Sequence, residues 1–251
     1  MKLAMKKAFF EFCAETLETA RAAESGGADR IELCSDLYCG GITPVPELMA
    51  ADLRSLAIPV HVLIRPRRGS FVFSPDEYEL MHRQIEQAKQ AGASGIALGV
   101  LLPDGRVDVE RTRALFALAR PMAATFHRAF DETPDLAEAL ESVIATGAEY
   151  LLTSGGASDV LRGAGFIATL LQQAGNRIHI VAGGGLRLAT LAQVVRRSGV
   201  YSLHGSLTHE NGDVTPGKNE HKLEAAVRQA VQLLRSAYDE ASAPVRAIYT
   251  P

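Results

Sequence analysis

Several short apolar runs in this chain end on side chains able to do chemistry. Glu11 and Cys13 close the first run, Glu32 and Cys34 the second, and Arg65 the third. His127 closes the fifth and is followed by Arg128 and Asp131; Thr153 and Ser154 close the sixth, and His204 the eighth. Glu11, Glu32 and His127 form a pool for general acid and base work, with Asp131 four residues on to orient the imidazole. The guanidinium of Arg65 or Arg128 suits a carboxylate or phosphate. Gly183-Gly184-Gly185 and Gly205-Ser206 offer bare backbone N–H groups to the same kind of anion, as does Thr153-Ser154-Gly155-Gly156 with its hydroxyls. Cys13 and Cys34 are a different resource. If their strands are adjacent, the thiols can meet, with Cys39 or His204 nearby, and soft thiolates select Cu(I) first and zinc second. Each residue alone also has a structural reading. A strand glutamate can pair with an arginine, a histidine can be satisfied under a loop, a glycine can simply turn the chain, and a cysteine can fill a gap.

The runs that must position these groups are 8–12, 29–33, 59–64, 95–100, 122–127, 149–153, 178–182 and 200–204. Their starts lie about 20 to 36 residues apart, the size of a strand–helix–strand unit. Between them, Ser74-Pro75-Asp76-Glu77 spells a capping box with proline at the first helical position. Tyr78, Met81, Ile85 and Ala88 then make one apolar stripe, ended at Gly92. Thr133 is expected to cap a helix opened by Pro134, with Leu136, Leu140, Val143 and Ile144 inward and Gly147 as its stop. Gly26-Gly27 and Gly175 are further stops. A last amphipathic helix over about 219–240 carries Leu223, Val227, Val231 and Leu234, and 241–251 reads as a short tail. Strand–helix alternation repeated to this count in 251 residues predicts one domain, a TIM (β/α)8 barrel spanning about 8–240, rather than an open doubly wound sheet. In that fold, polar groups at the C-terminal strand ends read as functional.

Composition excludes several classes. Net charge is −3 with no basic run, which argues against nucleic acid. No apolar stretch reaches the roughly 18 residues of a membrane span. The N-terminal MKLAMKKAFFEF lacks a signal peptide's apolar region, and three cysteines fit free thiols, so a reducing cytoplasm is expected. No lysine sits at a strand end and no GxGxxG follows a strand, so neither PLP nor a nicotinamide cofactor is expected. A homodimer is the base-rate expectation for assembly.

The segments GADRIELC, GGITP, VLIRPR, TFHRAFD, LLTSGG and AGGGL, in this order from about Phe9 to about Gly217, resemble the CutC copper homeostasis family. The resemblance implies a cytoplasmic TIM barrel named for copper handling, with copper binding attributed to members and no established catalytic reaction. It carries the family's distinctive positions onto Glu32, Cys34, Arg65, Pro66, His127, Arg128, Asp131, Thr153, Ser154, the glycines 183–185 and His204. The chain departs from the family pattern at Arg68-Gly69-Ser70 and at Val45. Two functions follow as expectations. One is copper homeostasis, with Cu(I) held by Cys13 and Cys34. The alternative is an enzyme acting on a small phosphorylated or carboxylated metabolite. There Glu32 and His127 would transfer protons, Arg65 and the glycine loops would grip the anion, and a divalent ion could assist.

Overall fold

The strands form where two apolar demands coincide. One row of side chains must face the helices, and the alternate row must fit inside a closed sheet. The computed structural model describes residues 7–49, 53–207 and 219–247, with side chains through residue 240. Its strands are β1 (Phe9–Ala14), β2 (Arg30–Leu33), β3 (Val60–Leu63), β4 (Gly95–Leu98), β5 (Ala123–Phe126), β6 (Tyr150–Thr153), β7 (His179–Gly183) and β8 (Ser202–Gly205). All neighbours pair in parallel, and β8 returns to β1, closing the barrel. The outward row, including Phe10, Phe12, Ile31, Val62, Ile96, Phe126, Leu151 and Leu203, joins one apolar cluster with helix residues such as Met81, Leu115, Val143, Ile167, Leu191 and Val227. A fully buried side chain of this size contributes about 1.5–3 kcal/mol.

The helices are α1 (Leu17–Gly26), α2 (Pro46–Met49), α3 (Pro75–Gln90), α4 (Val109–Ala119), α5 (Leu136–Thr146), α6 (Val160–Ala174), α7 (Leu188–Ser198) and α8 (Glu220–Ala247). The Ser74 capping box is present as read, with Glu77 reaching back to the Ser74 N–H. The cap of α5 is not Thr133. Asp135 accepts from Ala137 N and Glu138 N, while the Thr133 hydroxyl donates backwards to Phe130 O and ends a 3-10 turn. A carboxylate one residue from the first helical turn outcompetes a hydroxyl already used by the preceding turn. The last helix also runs past 240, to Ala247. Alanines at 241, 243 and 247 favour continuation. Residues 248–251 of the expected tail lie outside the described residues. No described helix is long and apolar enough to cross a membrane.

Candidate functional site

Register explains what the barrel encloses. Glu11 on β1 stands opposite Arg30 on β2 and opposite His204 on β8. Its carboxylate accepts from Arg30 Nε through one oxygen and from His204 Nδ1, at 2.8 Å, through the other. Arg30 is buried too, its guanidinium 4.2 Å from the Tyr150 ring centre. Burial alone would raise the Glu11 pKa. The Arg30 charge and the His204 hydrogen bond outweigh it and hold the carboxyl well below its usual range. Glu11 therefore does not close a strand as an acid/base group. It is the third residue of a six-residue strand, ionised and fully engaged inside the barrel. Sequence reading missed Arg30, although the period-two row of Glu32 and Cys34 also contains it.

One level higher, Cys13 stands opposite Glu32. The Cys13 and Cys34 sulfurs lie 3.1 Å apart, both buried, packed by Leu63 and Ala97. The Cys13 thiol donates to Glu32 Oε1 at 3.8 Å, and His204 Nε2 lies 3.9 Å from the same oxygen. Ligand atoms of Cys13, Glu32 and His204 all fall within 4.8 Å of one another. The hydrogen bond to Cys34, then burial, pushes the Cys13 thiol well up. Burial raises Glu32, with the nearby Glu11 charge adding to it, and Glu32 Oε2 has no hydrogen-bond partner. For His204, burial opposes protonation, but the Glu32 and Glu11 carboxylates outweigh it and favour the imidazolium. Cys39 does not join this group. Its thiol donates to Asp36 O at 3.0 Å.

At the mouth, the predicted ligand groups are largely tied to one another. Asp131 makes no hydrogen bond to His127. Its carboxylate accepts from the Thr153 and Ser154 hydroxyls, from Ser154 N and Gly156 N, and from Arg128 Nε at 2.9 Å. It therefore fixes the loop after β6 rather than the imidazole, because four backbone and hydroxyl donors converge on it. Arg128 also reaches Ser154 Oγ at 3.1 Å, and the pair packs on Gly184. A Cβ there would come within 3.0 Å of the guanidinium carbon and 3.1 Å of Ser154 Cβ. Gly183 packs on Leu152 and His204, Gly185 on Asp159 and Gly205 on Leu186, so these glycines serve close approach within the fold. Ser206 is half-buried just past β8. Arg67 and Arg68 belong to the solvated loop, paired with Glu77 and Asp36. Arg65 is buried, and its guanidinium donates to Cys39 O, Gly41 O and Gly69 O. His127 is buried against Phe71, and burial, with the Arg65 charge, pushes its pKa down to about 3.

This arrangement can be set beside known proteins. The CutC family profile matches residues 8–209. A family protein CutC from Chromobacterium violaceum is 40% identical over 242 residues, covering 92% of this chain and 98% of that protein. The copper homeostasis protein cutC homolog of Homo sapiens is 44% identical over 196 residues, covering 78% of this chain and 72% of that protein. Among solved structures, the putative copper homeostasis protein CutC from Streptococcus agalactiae superposes with a TM-score of 0.74 at 30% identity, covering 79% of this chain and 98% of that one. A profile match over most of the barrel, joined to these identities and to one shared fold, means that the chain belongs to the CutC family.

Proposed function

We propose that this protein serves copper homeostasis by holding Cu(I) between Cys13 and Cys34 inside the barrel mouth. The observation that carries this reading is the pair of buried sulfurs 3.1 Å apart, with the His204 imidazole and the Glu32 carboxylate beside them. Two sulfurs and an imidazole fit a soft ion, and the unpartnered Glu32 Oε2 fits a group that also takes up a proton. Copper here is cargo. Loading releases thiol protons and, where the His204 ring ligates, the imidazolium proton as well, so affinity rises with pH, steeply because the Cys13 thiol is held protonated. The free thiols support a reducing compartment, the cytoplasm, as the setting of this reading. The relatives' names that mention copper support the same reading.

The acid/base enzyme is the weaker reading, because two of its four groups have other work. Glu11 is locked to Arg30 and His204, and Asp131 to the loop after β6.

The test is an anaerobic Cu(I) titration against a chelator of known affinity. Wild-type protein should bind stoichiometrically, tighter than about nanomolar. Cys13→Ser combined with Cys34→Ser should lose that binding, and Glu32→Gln should keep it. Unchanged affinity in the double variant sinks the thiol site. Tighter binding of zinc than of Cu(I) in a parallel titration would replace copper with a divalent ion.

A further inference from the structure

Leu63, Ala97 and Thr125 stand in register on β3, β4 and β5. Two residues further along each strand, at the next inward level, are Arg65, Gly99 and His127. The middle strand thus presents no side chain at the mouth, and the imidazole fills part of that gap. A Cβ on Gly99 would lie 2.9 Å from His127 Nδ1. Arg65 and His127 also meet across one ring. The guanidinium carbon is 4.4 Å from the Phe71 centre and the imidazole centre 4.9 Å from it.

Both side chains carry a donor without an acceptor. His127 Nδ1 accepts the Ala129 N–H at 3.3 Å, so the proton of the neutral ring sits on Nε2. That N–H is buried and has no partner, and neither has Arg65 Nε. Arg65 is also a buried cation with no carboxylate in ion-pair contact among the described residues; the Glu132 charge favours it only from a distance. Its terminal nitrogens reach only backbone carbonyls, and among the described residues no carboxylate pairs with it. Buried charges are normally paired, and buried donors are normally satisfied. Two orphan donors and a positive charge that no carboxylate touches, at the same level of the barrel mouth, ask for an acceptor carrying one negative charge.

We propose that Arg65 and His127 bind the carboxylate of a small metabolite, with Arg65 Nε–H and His127 Nε2–H each donating to one of its oxygens. A phosphate dianion fits less well, since two donors and one cation leave a charge and several lone pairs unmet in a buried site. The site shares no side chain with the thiol pair, so it stands or falls apart from the copper reading.

The experiment uses the full chain and acetate as the probe, at constant ionic strength with chloride as the reference ion. Two readouts are followed. One is the melting temperature, and the other is the ¹⁵N resonance of His127 Nε2. His127→Asn is the informative variant: asparagine can still accept the Ala129 N–H as a cap but has no group at the Nε2 position. Arg65→Lys is the second variant, keeping the charge without the Nε–H. Acetate is expected to raise the melting temperature saturably and to shift the His127 Nε2 signal. Both variants should bind acetate at least about tenfold more weakly, the loss of one charge-assisted hydrogen bond. Their melting temperatures without acetate report folding separately. No saturable effect beyond chloride would mean that a bridging water satisfies the two donors, and would overturn the proposal. Equal acetate affinity in His127→Asn would also overturn it. Tighter binding of sulfate or inorganic phosphate than of acetate would overturn the carboxylate assignment.

Discussion

Histidine is the residue on which this barrel's pH response turns. His61 and His127 are both pushed down to about 3, chiefly by burial, with Arg30 adding to the first and Arg65 to the second. An unfolded chain takes up a proton on each below about pH 6.5, where the folded chain refuses it. The unfolded state then binds more protons, so stability falls as pH drops from about 6.5 toward 3, by about 1.4 kcal/mol per pH unit for each histidine. Urea midpoints measured from pH 7 to pH 5 should fall accordingly. His61→Asn, which keeps a hydrogen-bonding group near the Nδ1 position for the Thr125 hydroxyl, should remove about half of the slope. Identical slopes would show that the ring is not held neutral by the fold. At this scale the sequence was informative about residue types and silent about partners. Glu32, His127 and His204 do face inward. Whether a strand carboxylate is free or locked depends on the residue opposite, which is a matter of register between strands far apart in sequence. Glu11 illustrates this: its partners are 19 and 193 residues away.

Strand and helix positions were legible for a physical reason. A parallel strand buried on both faces is a short apolar run, and each observed strand lies within a residue or two of the run read for it. Caps were legible where one candidate stood alone, as at Ser74, and not where Thr133 and Asp135 competed. Packing between helices was not legible at all, and Gly26 shows what it demands. This glycine ends α1 against α8, where a Cβ would lie 2.7 Å from Val227 Cβ and 2.8 Å from Glu224 O. In a free helix, Gly→Ala stabilises by about 0.5–1 kcal/mol. Here the nearest atoms include backbone, which cannot swing aside, and α8 must move. Gly26→Ala is therefore expected to destabilise by about 1–3 kcal/mol, the usual range for overpacking. A raised melting temperature would show that α8 sits less firmly on α1 than these distances require.

At the scale of the whole molecule, closure of the barrel brings the thiol pair and the Arg65–His127 pair to one mouth, and the loop after β2 lies between them. Gly41 touches both. Its carbonyl accepts from Arg65 at 3.1 Å, and a Cβ on it would stand 3.8 Å from Cys34 Sγ. The Cys39 carbonyl accepts from the same guanidinium. An anion that fixes Arg65 would therefore also fix this loop over Cys34, and copper held as proposed would leave the sulfurs past a stiffer cover. Acetate is expected to slow Cu(I) release to a chelator, and to tighten Cu(I) binding by about fivefold or more if the coupling has the usual 1–3 kcal/mol strength. Linkage makes the effect reciprocal, so copper must tighten acetate binding by the same factor. Stopped-flow release and equilibrium titration, each with and without the second ligand, measure both sides. In His127→Asn the acetate effect on copper should need at least about tenfold more acetate, while copper affinity without acetate stays at the wild-type value. Two affinities that ignore each other would mean that the loop over Cys34 does not respond to Arg65, and that copper and carboxylate use one mouth independently.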